Sequence, residues 1–175
     1  MFLAVGEVLQ LPLINLPGQR CTVRTPAISD AHQLSALIRS DEKLRRAIGM
    51  NSKPTPEEYL QVIQDWRENK QSLILAIVLN GGTAIGQIAL SHIELAGRGC
   101  QLGYWLGSEY WNQGIMTAAV ELTLSLANDM GLALVTATIA KTNIASVKIL
   151  QKFHPKLESL SENKYRCEIL LTVIH

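Results

Sequence analysis

The strongest constraint on the fold is a pair of long β-forming runs joined by a tight-turn signal in the middle of the chain. The runs are SLILAIVL at 72–79 and AIGQIALSHIEL at 84–95, and an Asn-Gly-Gly turn at 80–82 separates them. Glycine and asparagine accept the left-handed backbone of a short hairpin. A second glycine turn, at 97–99, precedes the run CQLGYWLG. These signals predict an antiparallel meander of three strands.

Beyond Gly114 the hydrophobic pattern changes from that of strands to that of a helix, a strand, a second helix and a closing strand. These segments are IMTAAVELTLSLANDM at 115–130, LALVTATIA at 132–140, ASVKILQK at 145–152 and YRCEILLTVI at 165–174. A strand, helix and strand of this length predict one right-handed parallel crossover. The predicted fold class is therefore α+β, with a mixed and mostly antiparallel central sheet flanked by helices.

The first third of the chain carries weaker signals. A turn at 16–18 precedes a predicted strand around 20–25, and helices are predicted over 31–38 and from Pro56 to Trp66. Proline suits the first turn of a helix, and two glutamates follow it at the positive end of the helix dipole. Residues 1–18 are interpreted as an N-terminal extension that forms a strand, and not as a signal peptide, because the apolar start lacks basic residues.

Composition excludes several classes of protein. The chain has 175 residues, of which 47% are hydrophobic and 18% charged, as in a globular domain. The formal net charge of +1 gives no sign of a nucleic-acid partner, and no apolar run reaches the length of about 20 residues that spans a bilayer. Three isolated cysteines without a CxxC pair predict no metal site and a reducing, cytoplasmic location.

The stretch from the third strand of the meander to the following helix carries the chemical signal. A loop of small and polar residues at 107–114 leads into the helix, whose free backbone amides can bind an anion. The loop lacks the lysine of a nucleoside triphosphate P-loop and has no GxGxxG pattern. From the residues alone, an ordinary strand-to-helix turn without a ligand is the commoner alternative.

The motifs in this region resemble the GNAT superfamily of N-acetyltransferases, and most of all its RimJ/RimL-type branch, whose named members acetylate the N-termini of ribosomal proteins. The matching motifs are Gly103-Tyr104-Trp105-Leu106, then Tyr110-Trp111-Asn112-Gln113-Gly114-Ile115-Met116-Thr117, and finally Asn143 with Ser146. The order of elements agrees over nearly the whole chain after Gly18. The resemblance therefore implies a single acetyltransferase domain over 19–175, with the parallel crossover around a coenzyme site.

The resemblance also implies the site residues, with acetyl-CoA as co-substrate and no metal. The backbone amides that hold the coenzyme pyrophosphate are those of Gln113, Gly114, Ile115, Met116 and Thr117. The strand edge at Trp105 and Leu106 pairs with the pantetheine amides, Asn143 contacts the pantetheine arm, and Ser146 lies near the thioester sulfur. From the residues alone, Asn143 is equally well explained as a helix N-cap and Ser146 as a small residue in a first helical turn.

The sequence departs from the family pattern at two positions that matter for catalysis. Gln101 stands where a glutamate is common, and an amide cannot act as a base. His154-Pro155 replaces the usual Gly-Phe, and the residue before a proline is expected to be extended. His92 and Glu94 are the remaining candidates for a base on one strand, although an exposed polar face explains them as well.

These features predict direct transfer of an acetyl group to a primary amine. An α-amino group loses its proton more easily than a lysine, so a protein or peptide N-terminus, such as that of a ribosomal protein, is the favoured acceptor. Two alternatives stay open, a small amine such as a polyamine or aminoglycoside, and a non-catalytic acyl-CoA-binding module. The protein is expected to be a monomer or homodimer that contacts neither membrane nor nucleic acid.

Overall fold

The structure, a computed structural model, describes residues 9–12, 14–16, 18–69 and 71–171. This part of the chain forms eight strands and five α-helices. The strands are β1 (Ile14–Leu16), β2 (Gln19–Arg24), β3 (Leu73–Leu79), β4 (Ala84–Glu94), β5 (Gly99–Leu106), β6 (Leu134–Ala140), β7 (Lys156–Ser161) and β8 (Lys164–Leu170). The helices are α1 (Ile28–Ser40), α2 (Glu42–Ile48), α3 (Pro56–Glu68), α4 (Ile115–Asp129) and α5 (Ile144–Gln151).

All eight strands belong to one mixed sheet in the order β1-β2-β3-β4-β5-β6-β8-β7. The pair β5–β6 is parallel and every other neighbouring pair is antiparallel. The predicted meander is β3–β4–β5, and the predicted crossover is β5–α4–β6. The α+β fold class is therefore confirmed.

Each face of the sheet packs against its own helices. One core cluster joins buried side chains of α4, such as Ile115, Ala119 and Val120, to strands such as β3, β4 and β6. The other cluster joins α1, α2 and α3, through residues such as Leu34, to the opposite face of β3 and β4. Residues in a strand alternate between its faces, so the near-continuous apolar run of β3 is explained by burial on both sides.

Helix ends follow the sequence signals at most termini. Thr55 and Glu58 form a capping box at the start of α3, with Pro56 in its first turn. Gly131 has a φ angle of 83° directly after the last turn of α4. A left-handed backbone at this point suits glycine, so the predicted end of the helix is confirmed.

Three details of the sequence-based picture change. The strand β7 (Lys156–Ser161) was not predicted; it pairs with β8 and forms one edge of the sheet. The extended geometry expected at His154 is wrong, because that residue has a φ of 50° and its amide bonds to the carbonyl of Gln151. The closing strand is present to Leu170, while its predicted continuation at 172–175 lies outside the described residues.

The N-terminal extension joins the same sheet as the rest of the chain. Its strand β1 pairs with β2 in antiparallel register, and Gln10 forms an isolated bridge with Arg24. Residues 1–8 of the predicted extension lie outside the described part. The boundary at residue 18 stays a prediction, since β1 and β2 form one hairpin across it.

Candidate active site

The parallel strands β5 and β6 pair over only three residues and then separate. The paired positions are Gly99 with Leu134, Cys100 with Val135 and Gln101 with Thr136. Beyond them β5 continues to Leu106, held by β4 on its other side, and β6 continues to Ala140, held by β8. The described sheet therefore contains a V-shaped gap between two strand edges that do not pair with each other.

Backbone groups from both strands face this gap. The amide of Gly107 bonds to Ile85 of β4, and hydrogen-bonding groups alternate between the two edges of a strand. Alternation therefore turns the groups of Tyr104 and Leu106 to the gap, and those of Trp105 to β4. The carbonyl of Leu106 accepts a bond of 2.7 Å from the indole Nε1 of Trp111. By the same reasoning Thr138 of β6 faces the gap from the other side.

The helix α4 begins beside this gap without a cap. Its N-cap residue is Gly114, no side chain bonds to its first amides, and its first turn holds no acidic residue. By contrast α2, α3 and α5 each have a side-chain cap, from Asp41, Thr55 and Asn143. Within the described residues, no hydrogen bond has a backbone amide of 112–117 as its donor. These amides and the helix dipole favour a negatively charged ligand.

The start of α4 presents backbone amides and not apolar side chains. Asn112 and Gly114 both have left-handed φ angles, 61° and 81°. The side chains of Ile115 and Met116 are buried in the core, which leaves only their amides for a ligand. The five residues that the resemblance assigns to pyrophosphate binding, Gln113 to Thr117, thus lie together at the uncapped helix start.

The first turn of α5 completes the site on the β6 side. The side chain of Asn143 accepts a bond of 3.1 Å from the amide of Ser146, so it caps the helix, as one of the two sequence interpretations held. The hydroxyl oxygen of Ser146 lies 2.7 Å from the hydroxyl of Tyr104. Burial raises the pKa of Tyr104 to about 12, and its bond to Ser146 only partly offsets this effect. Tyr104 therefore keeps its proton near neutral pH.

The short helix α2 connects the two sides of the gap. Its N-cap, Asp41, accepts bonds of 2.6 Å from the amide of Ser108 and 2.9 Å from that of Leu44. Burial acts to raise the pKa of Asp41, but these bonds and the nearby Lys43 outweigh it, so the pKa is lowered. At the other end of α2, the carbonyl of Ala47 accepts a bond of 3.3 Å from the side-chain nitrogen Nδ2 of Asn143.

The two remaining candidates for a base lie at the end of β4, opposite the part of β5 that pairs with β6. His92 lies in an irregular part of β4 with a φ of 50°, and Glu94 pairs with Gly99 at the start of β5. Tyr104 is five residues further along β5, which corresponds to about 16 Å. Glu94 is thus separated from Tyr104 and Ser146 along the sheet, whereas His92 follows Ser91, whose partner Gln101 lies at the closed end of the gap. The catalytic assignment of His92 and Glu94 stays a prediction.

Other features of the described residues give no stronger candidate for a functional site than the gap. No group of three histidine, cysteine or acidic side chains there is arranged to hold a metal ion. Burial raises the pKa of the three thiols, Cys21, Cys100 and Cys167, which disfavours nucleophilic thiolates. None of the described helices is both long and apolar enough to cross a membrane. Two surface depressions, of about 570 and 580 Å³, lie outside the gap, one beside Arg20 and one beside Gln33.

Sequence reasoning did not find three residues that shape the site, namely Tyr104, Asp41 and Trp111. Tyr104 was read as part of a motif without a function of its own, although its contact with Ser146 joins the two sides of the gap. Trp111 was likewise read only as part of a motif, yet its indole Nε1 donates to the Leu106 carbonyl and its ring centroid lies 4.9 Å from the amino group of Lys43. The contacts of Tyr104 with Ser146 and of Asp41 with Ser108 join residues far apart in the sequence, and such contacts leave no local signal.

An open strand edge beside an uncapped helix defines a site for an extended ligand that carries an anionic group. The chain belongs to the acetyltransferase (GNAT) domain family, whose family model matches residues 20–155. The resemblance drawn from the sequence motifs is thereby confirmed. A curated relative, YdaF of Bacillus subtilis (strain 168), carries the provisional name of a ribosomal N-acetyltransferase and is 28% identical over 115 residues. That match spans 63% of this chain and 63% of the relative, which is less than two thirds of its length.

Solved structures share the fold. RimJ of Mycobacterium smegmatis, in complex with CoA-disulfide, has a TM-score of 0.82 and 20% identity, covering 92% of this chain and 87% of its own. Spermidine N-acetyltransferase of Vibrio cholerae, in complex with CoA and spermine, has a TM-score of 0.76 and 14% identity, covering 86% of this chain and 95% of its own. At these identities the likeness shows the fold alone.

Proposed function

We propose that this protein is an acetyl-CoA-dependent N-acetyltransferase whose acceptor is the α-amine of a protein or peptide N-terminus. The observation that carries the proposal is the unpaired gap between β5 and β6 beside the uncapped start of α4. A pantetheine arm is extended and rich in amides, so it can pair with such an edge. A pyrophosphate supplies the negative charge that free helix amides attract. The family match supports this assignment.

Different residues hold different parts of acetyl-CoA, which supplies the acetyl group as a thioester. The amides of 113–117 hold the pyrophosphate, and the gap-facing groups of Tyr104, Leu106 and Thr138 pair with the pantetheine. In this arrangement Leu106 alone has the role that the resemblance implies for Trp105 and Leu106 together. Asn143 fixes the start of α5, and Ser146 lies where a hydroxyl can donate a hydrogen bond to the sulfur as the carbon–sulfur bond breaks.

An acceptor amine that loses its proton easily is favoured, because the carboxylate described beside the gap, that of Asp41, is bonded to two backbone amides and has a lowered pKa, which makes it a weak base. Gln101 lies at the closed end of the gap, in the last pair between β5 and β6. An α-amine with a pKa of about 7.7–8.0 is roughly one tenth neutral at pH 7, whereas a lysine with a pKa of about 10.4 is neutral in well under a thousandth of molecules. Orientation of a neutral amine against the thioester then supplies much of the acceleration.

A matched panel of acceptors tests the proposal. Acetyl-CoA is incubated with a lysine-free peptide that has a free N-terminus, an N-terminally blocked peptide with one lysine, spermidine and an aminoglycoside, and release of free thiol is followed. We expect the first peptide to be acetylated fastest. Acetyl-CoA at one hundred times its dissociation constant is expected to stabilise the fold by about 2.7 kcal/mol, while NAD and ATP give far less.

Each alternative has its own outcome in this experiment. Faster transfer to spermidine or the aminoglycoside identifies a small-amine acetyltransferase. Thermal stabilisation by acetyl-CoA without thiol release from any acceptor identifies a non-catalytic acyl-CoA-binding module. The coenzyme assignment itself is refuted if millimolar acetyl-CoA leaves the melting temperature unchanged.

A further inference from the structure

The side chain of Tyr104 links β5 to the first turn of α5, which lies on the β6 side of the gap. Its hydroxyl lies 2.7 Å from the hydroxyl oxygen of Ser146 and 3.5 Å from the carbonyl oxygen of the same residue. The ring packs against the core cluster on the α4 face of the sheet. A tyrosine on a paired strand with a packed ring has little freedom to turn, so its hydroxyl is held in place relative to Ser146.

The direction of this hydrogen bond follows from the chemistry of the two groups. Each hydroxyl has one proton, and a phenol is the stronger donor while an aliphatic alcohol is the better acceptor. Tyr104 stays protonated near neutral pH, because burial raises its pKa to about 12. Either hydroxyl could donate at this distance, and the stronger acidity of the phenol favours donation from Tyr104 to Ser146, which turns the serine proton away from the tyrosine.

Within the described chain, the hydroxyl of Ser146 has no hydrogen-bond partner other than Tyr104. Its backbone amide is engaged separately, by the side chain of Asn143. Ser146 is the third residue of α5, so the residue four positions before it lies outside the helix and offers no helical carbonyl to the hydroxyl. A bond received from Tyr104 therefore leaves the serine proton free.

From this geometry we propose that Tyr104 is a positioning residue, which holds the hydroxyl of Ser146 so that the serine proton is directed to the sulfur of the coenzyme. The inference rests on the proposed function and on the part given there to Ser146. Tyr104 acts through Ser146 and does not itself contact the reacting atoms. Its effect is therefore expected in the transfer step and not in coenzyme affinity.

The test is a double-mutant cycle with Tyr104→Phe and Ser146→Ala, measured by single-turnover transfer from acetyl-CoA to the best peptide of the acceptor panel. Tyr104→Phe keeps the packed ring and removes one hydrogen bond. We expect the transfer rate to fall about 3- to 10-fold while the dissociation constant of acetyl-CoA changes less than twofold. In the Ser146→Ala background, Tyr104→Phe is expected to have no further effect, because the group it positions is gone.

A tyrosine elsewhere in the fold provides the control. Tyr59 is also buried, and its hydroxyl donates to the side chain of Gln87. Tyr59→Phe is expected to lower stability while leaving the transfer rate unchanged, which separates loss of a buried hydroxyl from loss of positioning.

Two results overturn the inference. One is an equal fall in rate for Tyr104→Phe in the parent and in the Ser146→Ala background, which indicates a structural role. The other is an unchanged rate for Tyr104→Phe in the parent. If Ser146→Ala itself keeps the full rate, the role of Ser146 and this inference fail together. Failure of the proposed function is seen separately, as absence of transfer by the unmodified protein.

Discussion

Replacing Gly114 with alanine tests whether the start of α4 holds the coenzyme phosphates, because the same helix supplies a matched control. Gly114 and Gly131 flank α4 with φ angles of 81° and 83°. A β-carbon at Gly131 meets no atom within 4 Å, and at Gly114 it lies 3.7 Å from a methyl group of Leu16, an ordinary contact. The two substitutions therefore impose the same backbone strain with little steric difference.

The structure gives the expected magnitudes. A left-handed backbone costs a non-glycine residue about 1–2 kcal/mol, so both variants are expected to lose about that much free energy of unfolding. At Gly114 alone, a shift of the backbone toward negative φ turns neighbouring amides of the phosphate loop away from the ligand. Loss of one hydrogen bond to a charged group costs about 1.5–3 kcal/mol, which corresponds to about tenfold to hundredfold weaker binding.

Isothermal titration with acetyl-CoA and urea denaturation measure the two effects on both variants. We expect similar losses of stability, and weaker binding for Gly114→Ala alone. Equal dissociation constants for the two variants would show that the phosphates bind at another part of the molecule. A much larger loss of stability for Gly114→Ala than for Gly131→Ala would show that the loop is held by contacts other than those described.

Two further predictions concern the sides of the gap. Ser146→Ala is expected to lower kcat about 100-fold, the lower end for proton transfer by a positioned side chain, with unchanged acetyl-CoA affinity; an unchanged single-turnover rate would exclude this role. Asp41→Ala removes the cap of α2 and is expected to cost about 1–2 kcal/mol in urea denaturation at pH 7, with Glu42→Ala, an exposed neighbour, as the milder control. Because the pKa of Asp41 is lowered in the folded state, its stabilisation is present above its ordinary pKa near 4 and is lost as the pH falls through the folded value. The stability difference between the parent protein and Asp41→Ala is therefore expected to shrink as the pH falls below about 4, and a difference that stays constant with pH would contradict the assignment.

Local signals were sufficient for most of the fold. The glycine turns at 80–82 and 97–99 predicted the three strands of the meander. The change from a strand-like to a helical hydrophobic pattern after Gly114 predicted the crossover. The strand β7 escaped prediction because it is an exposed edge strand, in which only Leu157 is partly buried. Without a buried face, a strand has no alternation of apolar and polar residues that a sequence can display.

The site was only partly accessible to sequence reasoning, for a related reason. The candidate phosphate loop is a local motif, so the resemblance could assign residues 113–117 to it, although the residues alone also fit an ordinary turn without a ligand. The bonds of Asp41 to Ser108 and of Tyr104 to Ser146 join residues that are 67 and 42 positions apart. The hydrophobic pattern of a sequence does not show where two strands stop pairing. The gap begins at that point, so neither the gap nor the contacts across it could be predicted.

The short ladder between β5 and β6 also has a mechanical consequence. Strands β1–β5 and strands β6–β8 form two well-paired parts of the sheet, and three residue pairs connect them. A force that pulls these parts in opposite directions meets fewer hydrogen bonds at this seam than at β4–β5 or β6–β8. A ligand that pairs with both edges of the gap adds bonds across the seam. It therefore acts as a removable cross-link, and the force needed to part the sheet rises with its occupancy.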